Sequence, residues 1–178
     1  MTTVEDSIRS VLEALREYMY GFYPERRRSD PFPLEFWTIE DDDVFVEFLE
    51  YLPLHMGITN SGEVPNLDQM SEGFRLAFPV YFLEDDYLFN GWTALTNAGT
   101  WLLPSVIDAY RRIGLAAEAD ALVAALWSCQ RDPDDTDAAE AAYKAVGSPF
   151  ADDDMRQEAL SEFFRANRHL FRSDGGAV

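Results

Sequence analysis

The sequence predicts an all-α fold: a single compact multi-helix domain over residues 1–172, with one or two short strands near 33–39 as the exception. Three observations lead there. From residue 81 onward, apolar residues recur at spacings of three and four almost throughout. Nowhere do two strand-like runs follow one another. The 178 residues, 47% hydrophobic and 14% aromatic, suffice for one sizeable core and are short for two.

Residues 1–22 read as the first helix, because Thr2 and Glu5 have capping-box spacing and Ile8, Val11, Leu12, Leu15, Met19 and Phe22 form one apolar face. YPERRRSDPFPLEFW, residues 23–37, breaks it with Pro24, Pro31 and Pro33 and carries the one basic cluster, Arg26 to Arg28. Residues 40–80 then read as helices and a loop. A helix over 40–52 starts on Glu40, Asp41, Asp42 and Asp43, where carboxylates suit the helix dipole, and turns Val44, Phe45, Phe48, Leu49 and Leu52 inward. LPLHMGITNSGEVPN is rich in turn formers and predicts a long loop, and Met70, Phe74, Ala77 and Phe78 predict a short helix ending at Pro79.

Residues 81–172 form the predicted helical core. Tyr87, Leu88, Trp92 and Leu95 repeat at helical spacing, and Asn97 to Gly99 predicts a C-cap. Pro104 fits a first-turn position, followed by the stripe Val106, Ile107, Tyr110 and Ile113 up to Gly114. A helix over 116–130 turns Ala121, Leu122, Ala125 and Leu126 inward. DPDDTD, residues 132–137, is a turn into a helix running to Val146 and closed by Gly147 and Pro149. The last helix starts at ADDD, 151–154, and uses Met155, Leu160, Phe163, Phe164, Leu170 and Phe171; residues 173–178 are expected to be a disordered tail.

A net charge of −19, shared almost evenly between the residues before and after 80, opposes direct contact with nucleic acid or an anionic membrane and favours a basic partner. Lys144 is the only lysine among 14 basic residues, a bias that GC-rich coding or adaptation to high salt also produces. No apolar run reaches the ~18 to 20 residues of a membrane span, and MTTVEDSIRS has no signal-peptide pattern, so a cytoplasmic protein is expected. Cys129, the single cysteine, has no internal disulfide partner and is expected as a half-buried thiol on a helix.

Catalytic patterns are absent. DPDDTDAAE lacks the glycine and the bidentate glutamate of a calcium loop, His55 and His169 have no nucleophile motif beside them, and no glycine-rich phosphate cradle occurs. A carboxylate pair could be drawn from Glu84, Asp85 and Asp86, but such pairs carry little specificity among 33 acids. No catalytic residue, metal or cofactor is expected, and the protein reads as a non-enzyme.

LEDDYLFNGWTALTNAG, residues 83–99, and VIDAYRRIGLAAEADAL, 106–122, resemble the core of a small family of acidic bacterial proteins typified by a dimeric DNA mimic. The match covers about residues 81–130. In that family an acidic residue precedes an Asn-Gly-Gly-aromatic turn, an aromatic helix ends in Asn, and a later helix closes on Ile-Gly-Ala. Asp85 or Asp86 would stand for the acid, Asn90, Gly91 and Trp92 for the turn, Asn97 for the closing asparagine, and Ile113 with Gly114 for the later motif. The second glycine and a following glutamine are missing, and Leu115 replaces the alanine. The resemblance implies that the amides and glycines are structural, with Asn90 and Asn97 capping backbone. It also implies a homodimer that offers carboxylates to a DNA-binding protein.

Physically, B-DNA presents one charge per ~1.7 Å of axis, and carboxylates on an exposed helix face, with ~1.5 Å rise per residue, approach that density. The candidate surface comprises Glu40, Asp41, Asp42 and Asp43; Glu84, Asp85 and Asp86; Asp132, Asp134, Asp135 and Asp137; and Asp152, Asp153 and Asp154. Each cluster falls near a predicted helix start, where capping alone would also place acids. The expected function is therefore blockade of the DNA-binding surface of a regulator, nuclease or nucleoid protein. The alternatives are an immunity or antitoxin protein that caps one toxin, a carboxylate-dependent enzyme with a pocket containing Asp85 or Asp86, and charge that serves solubility alone.

Overall fold

The computed structural model describes residues 67–147 and 153–171, together with Glu13, Arg16, Glu17, Phe45, Val46 and Leu49. The first helix, the 23–37 connection, the strands near 33–39, the long loop, Glu40 to Asp43, Asp152, the side chains of Asp153 and Asp154, and the tail lie outside the described residues. The described part is all helical and has no strand: a 3-10 turn at Leu67–Gln69, α1 Glu72–Asn90, α2 Thr93–Ile113, α3 Ala116–Arg131, α4 Thr136–Val146, α5 Asp153–Ala166 and a closing 3-10 turn Arg168–Phe171.

Short connections force consecutive helices to fold back on each other. Cross-contacts follow that order. Arg112 at the end of α2 reaches Glu72 at the start of α1, Cys129 late in α3 meets Leu95 early in α2, and Tyr143 late in α4 meets Glu118 early in α3. The last segment runs back along α1, with Arg156 at Glu84, Phe164 against Tyr81 and Phe171 against Phe74. Gly73 permits that last approach, because a Cβ there would lie 2.5 Å from the Phe171 ring.

The short helix expected to stop at Pro79 instead continues to Asn90, so the boundary placed between residues 80 and 81 falls inside α1. Proline in a helix interior removes one backbone bond at a cost of ~3 kcal/mol. Pro79 is buried in a helix that also buries Phe74, Phe78 and Tyr81, each no more than 2% exposed, and burial at ~1.5–3 kcal/mol per large side chain exceeds that cost. Leu88, counted in the same helical repeat, is instead 63% exposed: it continues the 77, 81 and 84 face, but the buried part of α1 ends at Glu84. Met155 is likewise exposed, and the adjacent Arg156 takes the inward position.

The interruption expected at 97–99 is a bend rather than an end. Gly99 has φ 44 and ψ −144, and helix resumes directly after it. Few residues but glycine adopt this conformation. The Trp101 indole donates to the Asn97 carbonyl at 2.8 Å across the bend. Pro104, expected in a first turn, sits a turn further on within α2. Gly91 and Gly114 close α1 and α2, the latter with Leu115 N–H bonded to the Tyr110 carbonyl at 2.8 Å. Phe45 and Leu49, predicted inward, are fully buried.

Candidate functional site

At the α1–α2 corner the amide side chains do something other than cap backbone. Asn90 Nδ2 donates to one oxygen of Asp86 at 2.6 Å, and Asn97 Nδ2 donates to the other at 2.9 Å. The cap that sequence reasoning assigned to them is not needed, because Gly91 N–H bonds the Tyr87 carbonyl at 2.8 Å. Asp86 is thus held in a fixed orientation while still half-buried, with Asp85 beside it. Phe82, Asp86 and Phe89 share one face of α1. Phe82 meets the Trp101 ring edge-on, and Phe89 and Trp101 are 80% and 49% exposed.

A second acidic corner lies between α3 and α4. Asp132, Asp134, Asp135 and Asp137 are all exposed. Asp135 caps α4 by accepting from Ala138 N–H at 2.9 Å, and Asp132 accepts from Asp134 N–H at 3.2 Å, so two carboxylates lock the turn. The side chains of Asp134 and Asp137 make no hydrogen bond or ion pair among the described residues. Ion pairs elsewhere among the described residues join Arg111 to Asp120 at 3.6 Å, Arg112 to Glu72, and Lys144 to Glu140.

Glu84, expected on the acidic surface, is corrected to the interior. It is 4% exposed and its carboxylate accepts from Tyr110 Oη and from Arg156 Nε and Nη2, the latter two at 2.8 and 2.7 Å. A buried carboxylate requires such partners. Burial, then the nearby Glu84 charge, pushes the Tyr110 phenol well above its ordinary value. Cys129 is also deeper than expected at 1% exposed, and burial pushes its thiol up as its Sγ–H points at the Leu95 carbonyl 3.6 Å away.

Beside this network a cavity of about 280 Å³ opens between all five helices. Its aromatic wall is Tyr87, Trp92 and Tyr143, with ring centroids 5.1 Å apart at both junctions. Glu84 and Glu118 bring carboxylates to the lining, and the Tyr143 hydroxyl donates to Glu118. Asp85 and Asp86 are not part of it. Trp92, read as a structural aromatic, packs on Tyr87 and lines the cavity; Ile113, read with it, is partly buried against the core.

Sequence reasoning missed Glu118, Tyr143 and Arg156. A signal was present: Glu118 continues the buried stripe of Leu122, Ala125 and Cys129, and Arg156 that of Leu160 and Phe164. A charge inside an apolar stripe marks either a buried pair or a polar cavity. No cluster of three or more His, Cys, Asp or Glu side chains that could hold a metal occurs among the described residues. No helix among them is long and apolar enough to cross a membrane. No family model, curated protein or solved structure matches the chain.

Proposed function

We propose that this is an acidic, non-enzymatic binding protein that occupies the basic, DNA-facing surface of another protein and blocks DNA by competition. The observation that carries the reading is the α3–α4 corner, where four exposed carboxylates sit on a turn fixed by two of them, leaving Asp134 and Asp137 to face outward. Fixed charges need no ordering at the moment of contact, so they favour both encounter rate and register. With −19 on the chain and its buried carboxylates Glu84 and Glu118 tied inside, the partner meets a surface that repels duplex DNA as it attracts basic side chains.

The test uses a basic DNA-binding protein recovered from the source cells at low salt and its operator or a non-specific duplex as competitor. Affinity is expected to fall steeply between low and physiological salt, to fall about tenfold further in Asp134→Asn/Asp137→Asn, and to be mutually exclusive with DNA. Binding indifferent to salt and to both substitutions sinks the reading.

A second reading, capping of one cognate toxin, is favoured by the exposed Phe89 and Trp101 flanking the oriented Asp86. Central aromatics dominate such interfaces. It predicts the opposite pattern: Phe89→Ser abolishes binding to a single partner, whereas Asp134→Asn/Asp137→Asn barely alters it.

A further inference from the structure

The cavity described above has a lining that neither acidic corner explains. Three aromatic rings, Tyr87, Trp92 and Tyr143, form a continuous wall. Two carboxylates that are almost wholly buried, Glu84 and Glu118, reach the same space. Both cations of the lining already lie on aromatic faces: Lys144 Nζ is 4.9 Å from the Trp92 centroid, and Arg156 Cζ is 5.6 Å from that of Tyr87. Arg156 is fixed there by two bonds to Glu84, whereas Lys144 is a half-exposed side chain at the rim, held by an exposed i,i+4 pair with Glu140. Such a pair contributes only ~0.3–0.5 kcal/mol, so Lys144 can swing away from Trp92.

We propose that the cavity binds a small organic cation, an alkylammonium or alkylguanidinium ion, against Trp92 and Tyr143 with Glu118 nearby, in the place that the Lys144 ammonium holds over Trp92. Ring faces attract a cation through their quadrupole, and more strongly where water is excluded. The volume of about 280 Å³ lies at the small end of ligand pockets, which suits an ion with a short alkyl chain. A ligand anion would meet the ring quadrupoles and Glu118, while the Arg156 charge in the lining is already taken up by Glu84. The inference stands apart from the acidic surface, and neither depends on the other.

The experiment is calorimetric titration of the full chain with n-butylamine and n-butylguanidine, and with n-butanol and butyrate as neutral and anionic counterparts. The two cations are expected to bind and the other two to fail. Lys144→Met removes the resident ammonium and is expected to tighten cation binding by roughly three- to tenfold, leaving butanol and butyrate without binding. Glu118→Gln is expected to weaken the cations about tenfold, with circular dichroism checking that the variant is folded. Since Lys144 is an exposed rim residue, its variant carries the decision if Glu118→Gln unfolds. Butyrate or butanol binding as tightly as the cations, cation binding unchanged or weaker in Lys144→Met, or no binding by any of the four compounds overturns the proposal.

Discussion

Glu84 shows how one residue type supports two opposite expectations. It stands beside Asp85 and Asp86 in an acidic run, yet only it points inward, where Arg156 and Tyr110 consume its lone pairs. Replacing Glu84 by Gln removes the buried carboxylate to which Arg156 Nε and Nη2 are bonded, and unfolding by denaturant should show a loss of about 3–5 kcal/mol. Tyr110 gives a pH signature. Its phenol is raised in the folded state, so its contribution is fully present below the unfolded value of about 10 and is lost as pH climbs above that. The denaturation midpoint should therefore fall more steeply above pH 10 in the wild type than in Tyr110→Phe, and the two slopes should agree near neutrality. The position of Glu84 could have been read from its register with Ala77 and Tyr81. Its partner could not, because Arg156 lies 72 residues away and no local pattern links them.

At the scale of elements, punctuation by glycine was legible and punctuation by proline was not. Gly114 and Gly147 close helices where expected, each with positive φ at a helix end, whereas Gly91, read as lying inside a helical repeat, ends α1 in the same way. Pro79 and Pro104 lie inside helices, since a lost backbone bond is a local cost that core packing overrides. The bend at Gly99 aims α2 so that Leu95 and Ala98 before it and Leu102 and Leu103 after it all reach the core. A Cβ there meets no neighbour, so the penalty for Gly99→Ala is purely conformational. It should amount to about 1–3 kcal/mol by thermal or denaturant unfolding, with far-UV helicity retained at low temperature.

For the whole molecule, the helical fold class followed from periodicity and from the glycine-marked ends, both of which are short-range properties of the chain. The cavity did not, because it exists only where five helices converge, and its lining is spread from Leu83 to Arg156. Cys129 offers a measure of how firmly that assembly holds. Its thiol is buried and shifted upward, so at pH 8 an aromatic disulfide reagent should react orders of magnitude more slowly with the native protein than with the chain in denaturant. The native rate then reports opening between α2 and α3, and it should rise in Glu84→Gln.

Lys144 supplies the sequence's lone ε-amine, and it stands over Trp92 at the cavity mouth. Succinimide esters, which acylate amines, have that one lysine side chain to modify besides the α-amine, while the thiol of Cys129 is shut away from maleimides. A dye coupled there would rest against the indole without any engineered attachment point. Quenching by that ring would make the natural chain its own optical gauge of whatever enters or leaves beneath it.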